Sequence, residues 1–364
     1  MAANDLRPTR TFCARPLTLR MRSTTAGYAR YDRAVLRPAI VALLVSLPAA
    51  LFASPPRVIR MATVAPDGTT WAREIRGFAR EVEAATDGQV HVKMYFGGIA
   101  GGETEMEEQI RRGHLDGMVS GGMFCSHIAP SLRVLRVIGL LRDRREAVYL
   151  INRLRPTLSR EAAASGFVDL GIALVGMDLL FSRTPVRSLA ELRHGAYWIW
   201  DLDDMVQKQL REMGVRFVPA PLPAAAGLYE SGKSDGFLTV PGAALAFQWS
   251  TQAKYVAPLG YTALPGCAVV TMRVFDELPF EAQQAIRAAG AKLQARFDDV
   301  TDTQDTALLG ELFARQGLTF TPADRFRTEF FGAAAEAARR LGAQLVPPAL
   351  LQQATALLAE HRGK

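Results

Sequence analysis

Histidine and cysteine are the residues with which this chain could bind a metal ion, and they are thinly spread. The sequence contains five histidines and three cysteines. No two histidines have the HExxH spacing that places two ligands on one face of a helix. The tripeptide Cys125-Ser126-His127 brings one thiol and one imidazole together. A metal site needs three or four ligands, so this tripeptide indicates a packed thiol beside a surface histidine.

The patterns that mark enzyme active sites are also missing. The chain has no GxSxG turn for a nucleophilic serine. The glycine-rich GGIAGGE, residues 97–103, lacks both the GxGxxG and the GxxxxGK[ST] spacing that cradle phosphates. The four carboxylates of ETEMEEQ, residues 103–109, are typical of a solvated helix face. The sequence therefore predicts a protein that is not an enzyme and that uses neither a metal ion nor a cofactor.

Two tryptophans stand out in GAYWIWDLDD, residues 195–204. Trp198 and Trp200 are two residues apart on a predicted strand, so their indoles should lie on one face. Such a pair forms either part of the core or the wall of a ligand site. A register shift of one residue would place Tyr197 and Ile199 on that face instead.

Alternating strand and helix patterns must position these residues. The segment TTWAREIRGFAREVEAAT, residues 69–86, has apolar residues at helical spacing, and Thr69 or Thr70 can cap the helix. This alternation predicts the α/β class with largely parallel sheets, followed by a nearly all-helical region from Phe275 onward. The predicted strands are VIRMATV (58–64), QVHVKMYF (89–96), LDGMVSG (115–121), GFVDLGIALVG (166–176), VRFVPA (215–220) and GCAVVTM (266–272).

The first 53 residues carry most of the positive charge. They hold eight arginines and two acids and include AIVALLVSLPAALFA, and without them 35 basic and 34 acidic residues are left. A basic segment, a short apolar run and a small-residue site are typical of an export signal, so we expect residues 1–53 to be a signal peptide and the protein to be periplasmic. The alternative is an uncleaved membrane anchor. The near-neutral remainder argues against a nucleic acid partner.

Several blocks of this sequence resemble one family in the right order. They are MATVAPDGTTWAREIRGFAREVEAATDGQVHVKMYFGG, GGETEMEEQIRRGHLDG, SLAELRHG, YESGKSDGFLTVPGAALAFQWSTQAKYV and FDELPFEAQQAI. They are similar to the DctP-like solute-binding subunits of TRAP (tripartite ATP-independent periplasmic) transporters, from about Val58 to beyond Leu318. The resemblance implies a two-lobed α/β clamp that captures a small molecule and delivers it to a TRAP membrane permease.

The family resemblance also implies an architecture. We expect a two-lobed periplasmic solute-binding (Venus-flytrap) fold with mixed sheets, crossing strands and a helical C-terminus. The first lobe would comprise residues 58–176 and 266–302, and the second residues 177–265. The helices of residues 303–364 would pack across both lobes.

The family usually binds carboxylates with an arginine on a strand of the second lobe, since a guanidinium pairs both carboxylate oxygens. Alignment through SLAELRHG places that position at Trp198. The other positions where members carry polar groups fall at Asp178, around Phe124, and at Thr239 and Val240. This pattern predicts a less charged, more apolar ligand, in a branch of the family that carries tryptophan in place of the arginine.

Further candidate residues complete this predicted site. Trp71 and Trp249 are either core residues or parts of the pocket wall. Asp201 either caps a helix that begins near Leu202 or binds a ligand hydroxyl or amine, and Asp178 could bind such a group too. The WIW strand and Gln248-Trp249 are similar to a branch with an additional periplasmic partner of tetratricopeptide type.

The two cysteines beyond the signal segment, Cys125 and Cys267, are either free buried thiols or a disulfide. The resemblance places the strand ending near Ser120 antiparallel to GCAVVTM, and this arrangement would bring both cysteines to the cleft end of the first lobe.

Two other functions stay open. The protein could be a conventional receptor for a C4-dicarboxylate or keto acid that uses a different arginine, such as Arg183 or Arg187. It could also be a ligand-sensing or lipid-shuttling periplasmic protein.

Overall fold

The computed structural model describes residues 55–363, so the predicted signal peptide lies outside the described residues. The described chain contains two β-sheets. The first sheet has the strand order β2-β1-β3-β10-β4. Strands β2 and β3 pair parallel with β1, whereas β10 runs antiparallel to both β3 and β4. Its strands are β1 (Arg57–Ala62), β2 (Val90–Tyr95), β3 (Gly117–Ser120), β4 (Phe167–Met177) and β10 (Ala263–Thr271).

The second sheet has the strand order β11-β9-β5-β8-β6-β7. Here β6 pairs parallel with β7 and β8, while β5 runs antiparallel to β8 and β9. The chain leaves the first sheet at Asp178, between β4 and β5, and returns to it with β10. Its strands are β5 (Leu179–Ser182), β6 (Ala196–Trp200), β7 (Arg216–Ala220), β8 (Gly236–Thr239), β9 (Tyr255–Ala257) and β11 (Thr319–Phe320).

Both sheets are therefore mixed, and the two-lobed α/β fold with crossing strands is confirmed. The broader expectation of largely parallel sheets holds for the other strand pairs and fails at β10 and β5, which make every antiparallel pairing among the described residues. Strand β5 is the first strand after the chain leaves the first sheet, and β10 is the strand with which it returns. Each runs antiparallel to its neighbours in the sheet it joins. Eight of the nine residues of β10 are buried, as expected for a strand between two neighbours in a sheet covered on both faces.

Helices cover both sheets. In α1 the side chain of Thr69 accepts a hydrogen bond from the amide of Ala72, and the apolar face packs into the first core. The helices are α1 (Thr70–Ala85), α2 (Glu103–Arg111), α3 (Phe124–Ile128), α4 (Arg144–Ala164), α5 (Leu189–His194), α6 (Asp204–Glu212), α7 (Ala225–Glu230), α8 (Pro241–Ala246), α9 (Met272–Asp276), α10 (Phe280–Ala307), α11 (Phe313–Arg315), α12 (Asp324–Leu341) and α13 (Pro348–Arg362). Short 3₁₀ helices include Pro130–Arg136, Leu222–Ala224, Trp249–Thr251 and Gly342–Gln344, and Leu308–Leu312 forms a π-helical turn.

The last helices contact both lobes. Helix α10 packs against β4 and α1 of the first lobe, and Leu308, just after it, is buried in the core of the second. Helix α12 packs against α5 and α6, whereas α13 packs against α4. Within residues 55–363, none of the helices combines the length and the hydrophobicity that a membrane span requires.

Cys125 and Cys267 form a disulfide between α3 and β10, with their Cα atoms 5.7 Å apart. The pairing follows from the sheet, because Cys267 lies opposite Ser120 in the antiparallel register of β3 and β10. Helix α3 begins four residues after Ser120 and carries Cys125 in its first turn. The interpretation of these residues as free buried thiols is thus wrong.

Candidate functional site

A cavity of about 120 Å³ lies between the two sheets. The parallel strands β3, β6 and β8 point their C-terminal ends at it, which is the usual place of ligand crevices in open α/β sheets. The first lobe contributes α1 and strands β3, β4 and β10, and the second contributes β6, β8 and α8. We call this space, bordered by Trp71, Ser120, Val175, Trp200 and Val240, the cleft cavity.

Trp198 and Trp200 share one face of β6. Both pack into a core cluster that also contains Phe237 and Trp249, while Tyr197 and Ile199 belong to the cluster on the opposite side of the sheet. Trp198 is only 2% exposed, and its indole N–H donates a hydrogen bond to the carbonyl of Ala220 at 3.0 Å. Both indoles border the cleft cavity, and Trp200 is half-buried, whereas Trp198 is almost fully buried.

The other predicted residues divide into two groups. Trp71, Asp178, Thr239 and Val240 border the cleft cavity, while Phe124, Asp201 and Trp249 are not among its lining residues. Three of these cavity residues come from different elements, with Trp71 in α1, Asp178 between β4 and β5, and Thr239 at the end of β8.

The three residues outside the lining have structural contacts instead. The Phe124 ring packs edge-to-face on Phe167 with centroids 5.5 Å apart, in the core of the first lobe. Trp249 lies in a 3₁₀ turn and stacks on Phe237 with centroids 5.0 Å apart.

The expectation that Asp201 caps a helix near Leu202 is wrong. Helix α6 begins at Asp204, and its cap is Asp203, whose carboxylate accepts a hydrogen bond from the amide of Val206. Partial burial raises the pKa of Asp201.

Besides Asp203, Arg136 is a charged residue of the cleft cavity that the sequence patterns did not single out. It lies in the 3₁₀ helix Pro130–Arg136, lines the cavity and is 4% exposed. Its two terminal nitrogens donate to the carboxylates of Asp178 and Asp203. The sequence does contain an indication of this role. In PSLRVLRVIGLL, residues 130–141, Arg133 and Arg136 interrupt an apolar run, so burial of the run takes an arginine into the interior with it.

Arg136, Asp178 and Asp203 form a buried triad of charged groups. Because both carboxylates pair with the one guanidinium, the described residues that line the cleft cavity include no unpaired positive charge. One guanidinium faces two carboxylates, so the three groups together carry a formal charge of −1 when all are ionised. Burial lowers the pKa of Arg136, but Asp178 and Asp203 outweigh it and raise the pKa above its usual range. Burial also raises the pKa of Asp178, against the opposing effect of Arg136. The hydroxyl of Thr262 donates a further hydrogen bond to Asp178, at 2.7 Å.

The arginines proposed as alternative anchors lie elsewhere. Arg183 donates to the carbonyl of Tyr229 and stacks over its ring, 4.1 Å from the centroid. Neither Arg183 nor Arg187 is among the residues that line the cleft cavity. Among the described residues, no group of three or more histidine, cysteine, aspartate or glutamate side chains could hold a metal ion.

A second acidic group lies near the point where the chain crosses between lobes. Asp305, in α10, is half-buried, and its Oδ1 has no hydrogen-bond partner among the described residues. Burial raises its pKa to about 7, with Arg144 opposing and Asp302 adding to the rise. A Cβ at Gly176 of β4 would lie 3.4 Å from its Oδ2, so the carboxyl group packs against the crossing strand.

We expect Asp305→Asn to stabilise the protein at pH 8 and to have little effect near pH 4. The pKa of Asp305 is about 7 in the folded protein and about 4 in the unfolded chain. This difference stabilises the folded state below about pH 4, and the stabilisation is lost as the pH rises through about 7. The gain at pH 8 should be about 1–3 kcal/mol in urea unfolding. Asp302→Asn is the matched control, because the exposed Asp302 forms an ion pair with Arg144 at 3.0 Å. An equal gain in both variants would contradict the assignment to Asp305.

Comparison with known proteins gives consistent results. The sequence model of "bacterial extracellular solute-binding protein, family 7" (DctP) matches residues 61–344. A protein described as "solute-binding protein" from Verminephrobacter eiseniae (strain EF01-2) is 25% identical over 229 residues, which is 61% of this chain and 68% of that protein.

Solved structures share the fold at low identity. A TRAP periplasmic solute-binding protein from Haemophilus influenzae with bound L-gulonate aligns with a TM-score of 0.76 at 14% identity, covering 84% of this chain and 99% of that one. One from Xanthobacter autotrophicus with β-D-galacturonate aligns with a TM-score of 0.75 at 20% identity, covering 83% and 99%. DctP7 from Bordetella pertussis, a receptor binding pyroglutamic acid, aligns with a TM-score of 0.73 at 21% identity, covering 82% and 99%.

Proposed function

This chain belongs to family 7 of the bacterial extracellular solute-binding proteins, the DctP family, and we propose that it captures a small, largely apolar organic molecule between its two lobes. It then delivers this molecule to the membrane permease of a TRAP-type secondary transporter. Residues 1–53 serve as the signal peptide for export to the periplasm. The protein acts as a receptor and catalyses no reaction.

The observation that carries the ligand class is the composition of the cavity wall. Indoles from Trp71 and Trp200 and aliphatic groups such as Val175 and Val240 provide most of the lining. Transfer of apolar surface from water to such a wall is favourable, by roughly 25 cal/mol per Å². A cavity of about 120 Å³ is close to the roughly 150 Å³ of an engineered cavity that binds benzene, so the ligand is a compact molecule.

The charges of the site argue against a carboxylate ligand. Arg136 already donates to two carboxylates, so an incoming anion would meet a triad with a formal charge of −1. Repulsion between like charges is strong where water is excluded. The structural neighbours with gulonate, galacturonate and pyroglutamic acid bind acids, and we infer that this chain departs from them because Trp198 occupies the position of the family's arginine.

A carboxylate receptor is the second candidate. It is favoured by one observation, namely that Arg136 lines the cleft cavity. Binding of an acid would require Arg136 to release Asp178 or Asp203, or one of these carboxyl groups to take up a proton. The raised pKa of Asp178 is in the direction that such proton uptake requires.

The mechanism we propose is closure of two lobes about the crossing strands. Residues 58–176 and 266–302 form the first lobe, residues 177–265 form the second, and residues 303–364 pack across both. From the WIW strand and Gln248-Trp249 we also propose that the chain belongs to a tryptophan-carrying branch of the family and has a periplasmic tetratricopeptide-type protein as an additional partner.

Native mass spectrometry of protein purified from its own periplasm, followed by extraction and identification of what it carries, tests the ligand class. We expect a neutral, compact and largely apolar molecule. Trp200→Leu should retain at least tenfold less of it, because the variant loses part of the cavity wall. Phe331→Leu is the control, since Phe331 is a half-buried aromatic residue outside the cavity. A keto acid, sugar acid or dicarboxylate in the extract would favour the second candidate.

A further inference from the structure

We propose that two indole–glycine contacts, one from each lobe, hold the lobes closed over the cleft cavity, with Gly122 and Gly242 as the positioning residues. The inference deepens the proposed function, because closure is the step by which a binding protein of this kind retains its ligand. The contacts themselves can be tested without knowledge of the ligand.

The first contact joins Trp200 of the second lobe to Gly122 of the first. A Cβ built on Gly122 would lie 2.2 Å from Cζ3 and 2.4 Å from Cη2 of the indole. The indole therefore lies directly on the backbone of the turn between β3 and α3. Gly122 does not have a positive φ, so the close approach of the ring, and not the backbone conformation, is what requires glycine here.

The backbone at Gly122 is held in place by buried polar groups. Its amide donates to the hydroxyl of Ser120 at 3.1 Å, and that hydroxyl donates to the carboxylate of Glu103. The other oxygen of Glu103 accepts from the amide of Phe124 at 3.0 Å. Glu103 and Ser120 are both nearly inaccessible to solvent. These hydrogen bonds hold the turn that receives the Trp200 indole, so we expect an added methyl group at Gly122 to displace the ring and not the backbone.

The second contact runs in the opposite direction. Trp71, in the first turn of α1, belongs to the first lobe, and Gly242, in α8, belongs to the second. A Cβ on Gly242 would lie 2.6 Å from Cζ2 and 3.0 Å from Cη2 of Trp71. Gly242 has no positive φ either. Each lobe therefore supplies one indole and one glycine, and both indoles also line the cleft cavity.

Other contacts also join the lobes, among them the buried ion pairs that Arg136 of the first lobe forms with Asp178 and Asp203 of the second. Arg133 and Asp204 form an ion pair at 3.2 Å, but both side chains are substantially exposed, and exposed pairs contribute little. A small cluster of Met123, Val240 and Leu264 adds apolar contact between the lobes. The indoles are large apolar groups at this interface, and an indole with only two torsions loses little conformational freedom when it is fixed.

The test measures closure directly. Spin labels at Arg80→Cys in α1 and Lys233→Cys, just before β8, report the distance between the lobes by electron–electron double resonance. Both residues are exposed, and Cys125 and Cys267, the two cysteines of the described residues, are paired in the disulfide. We expect the short distance to dominate in the otherwise unchanged protein. Gly122→Ala should lower the ratio of short to long distances roughly tenfold, as expected for overpacking, and Gly242→Ala should do the same.

Rescue separates a positioning role from a general loss of stability. Trp200→Phe shortens the ring, so the double variant Gly122→Ala/Trp200→Phe should recover the short distance. Gly227→Ala is the control, because a Cβ at Gly227 in α7 meets nothing within 4 Å. The same distance distribution in Gly122→Ala as in the parent protein, or no recovery in the double variant, would overturn the proposal. A carboxylate found in the purified protein would contradict the proposed ligand class and leave this result unaffected.

Discussion

Replacement of Arg136 by methionine should lower the free energy of unfolding by about 3–5 kcal/mol at neutral pH, the range expected when one partner of a buried ion pair is removed. Methionine fills a similar volume but cannot donate to Asp178 or Asp203. The two carboxylates would then be buried together without a cation. Both are at most 4% exposed in the native protein, so water cannot replace the missing guanidinium.

The loss should depend on pH in a defined direction. Burial already raises the pKa of Asp178 while Arg136 acts against the rise, so the variant should raise it further. A carboxyl group whose pKa is raised by folding stabilises the folded state at acid pH. This contribution is lost as the pH rises through the pKa of the group in the folded state. The defect of Arg136→Met should therefore be largest at neutral pH and should shrink as the pH falls towards 4, roughly the value of an unperturbed aspartate.

Urea unfolding at several pH values measures this prediction. Arg133→Met is the matched control, because Arg133 lies in the same 3₁₀ helix but forms only an exposed ion pair with Asp204, which typically contributes about 0–1 kcal/mol. The triple variant Arg136→Met/Asp178→Asn/Asp203→Asn should recover much of the stability, since it removes the unpaired charges. Equal defects in the Arg133 and Arg136 variants would show that the triad does not stabilise the fold as described.

Loss of the Cys125–Cys267 disulfide should lower the free energy of unfolding by about 2–4 kcal/mol. The two cysteines are separated by 142 residues, so the bond restricts a long loop of the unfolded chain. In the folded protein it ties α3 to β10 below the cleft cavity, and Cys267 lines that cavity. We expect the loss of stability to be accompanied by weaker retention of the ligand, because Cys267 lines the cleft cavity and Gly122 lies three residues before Cys125.

The double variant Cys125→Ala/Cys267→Ala, unfolded in urea, gives this value. The parent protein in the presence of a reductant should approach the variant, and the variant itself should not respond to the reductant. Titration of thiols in the denatured, unreduced mature protein provides the control. Two free thiols in that titration would contradict the pairing.

The sequence by itself determined the local elements and the family. Strands such as β1, β2 and β4 and the helix α1 were predictable within a few residues, because each rests on a local period of apolar residues. Thr69 was predictable as a cap because a threonine hydroxyl needs only the amides of the next turn. The predicted export signal likewise rests on a contiguous pattern, and it lies outside the described residues.

The shared face of Trp198 and Trp200 was also a local consequence of strand geometry, but the environment of each indole was not. Trp198 is fixed in the core by Trp249, with centroids 5.0 Å apart, and Trp249 is 51 residues away along the chain. Trp200 reaches a glycine of the other lobe. The alternation of a strand determines which residues share a face, but only the packing of the two lobes determines what that face meets.

Only the tertiary structure determined which buried charges pair with each other and which cysteines form the disulfide. Arg136 meets Asp178 and Asp203, which come from the crossing strand and from the start of α6, 42 and 67 residues away along the chain. Cys125 meets Cys267 only because β10 returns antiparallel beside β3. No local period records such pairings, because the free energy of a buried ion pair or a disulfide depends on which distant groups the fold brings within a few ångströms.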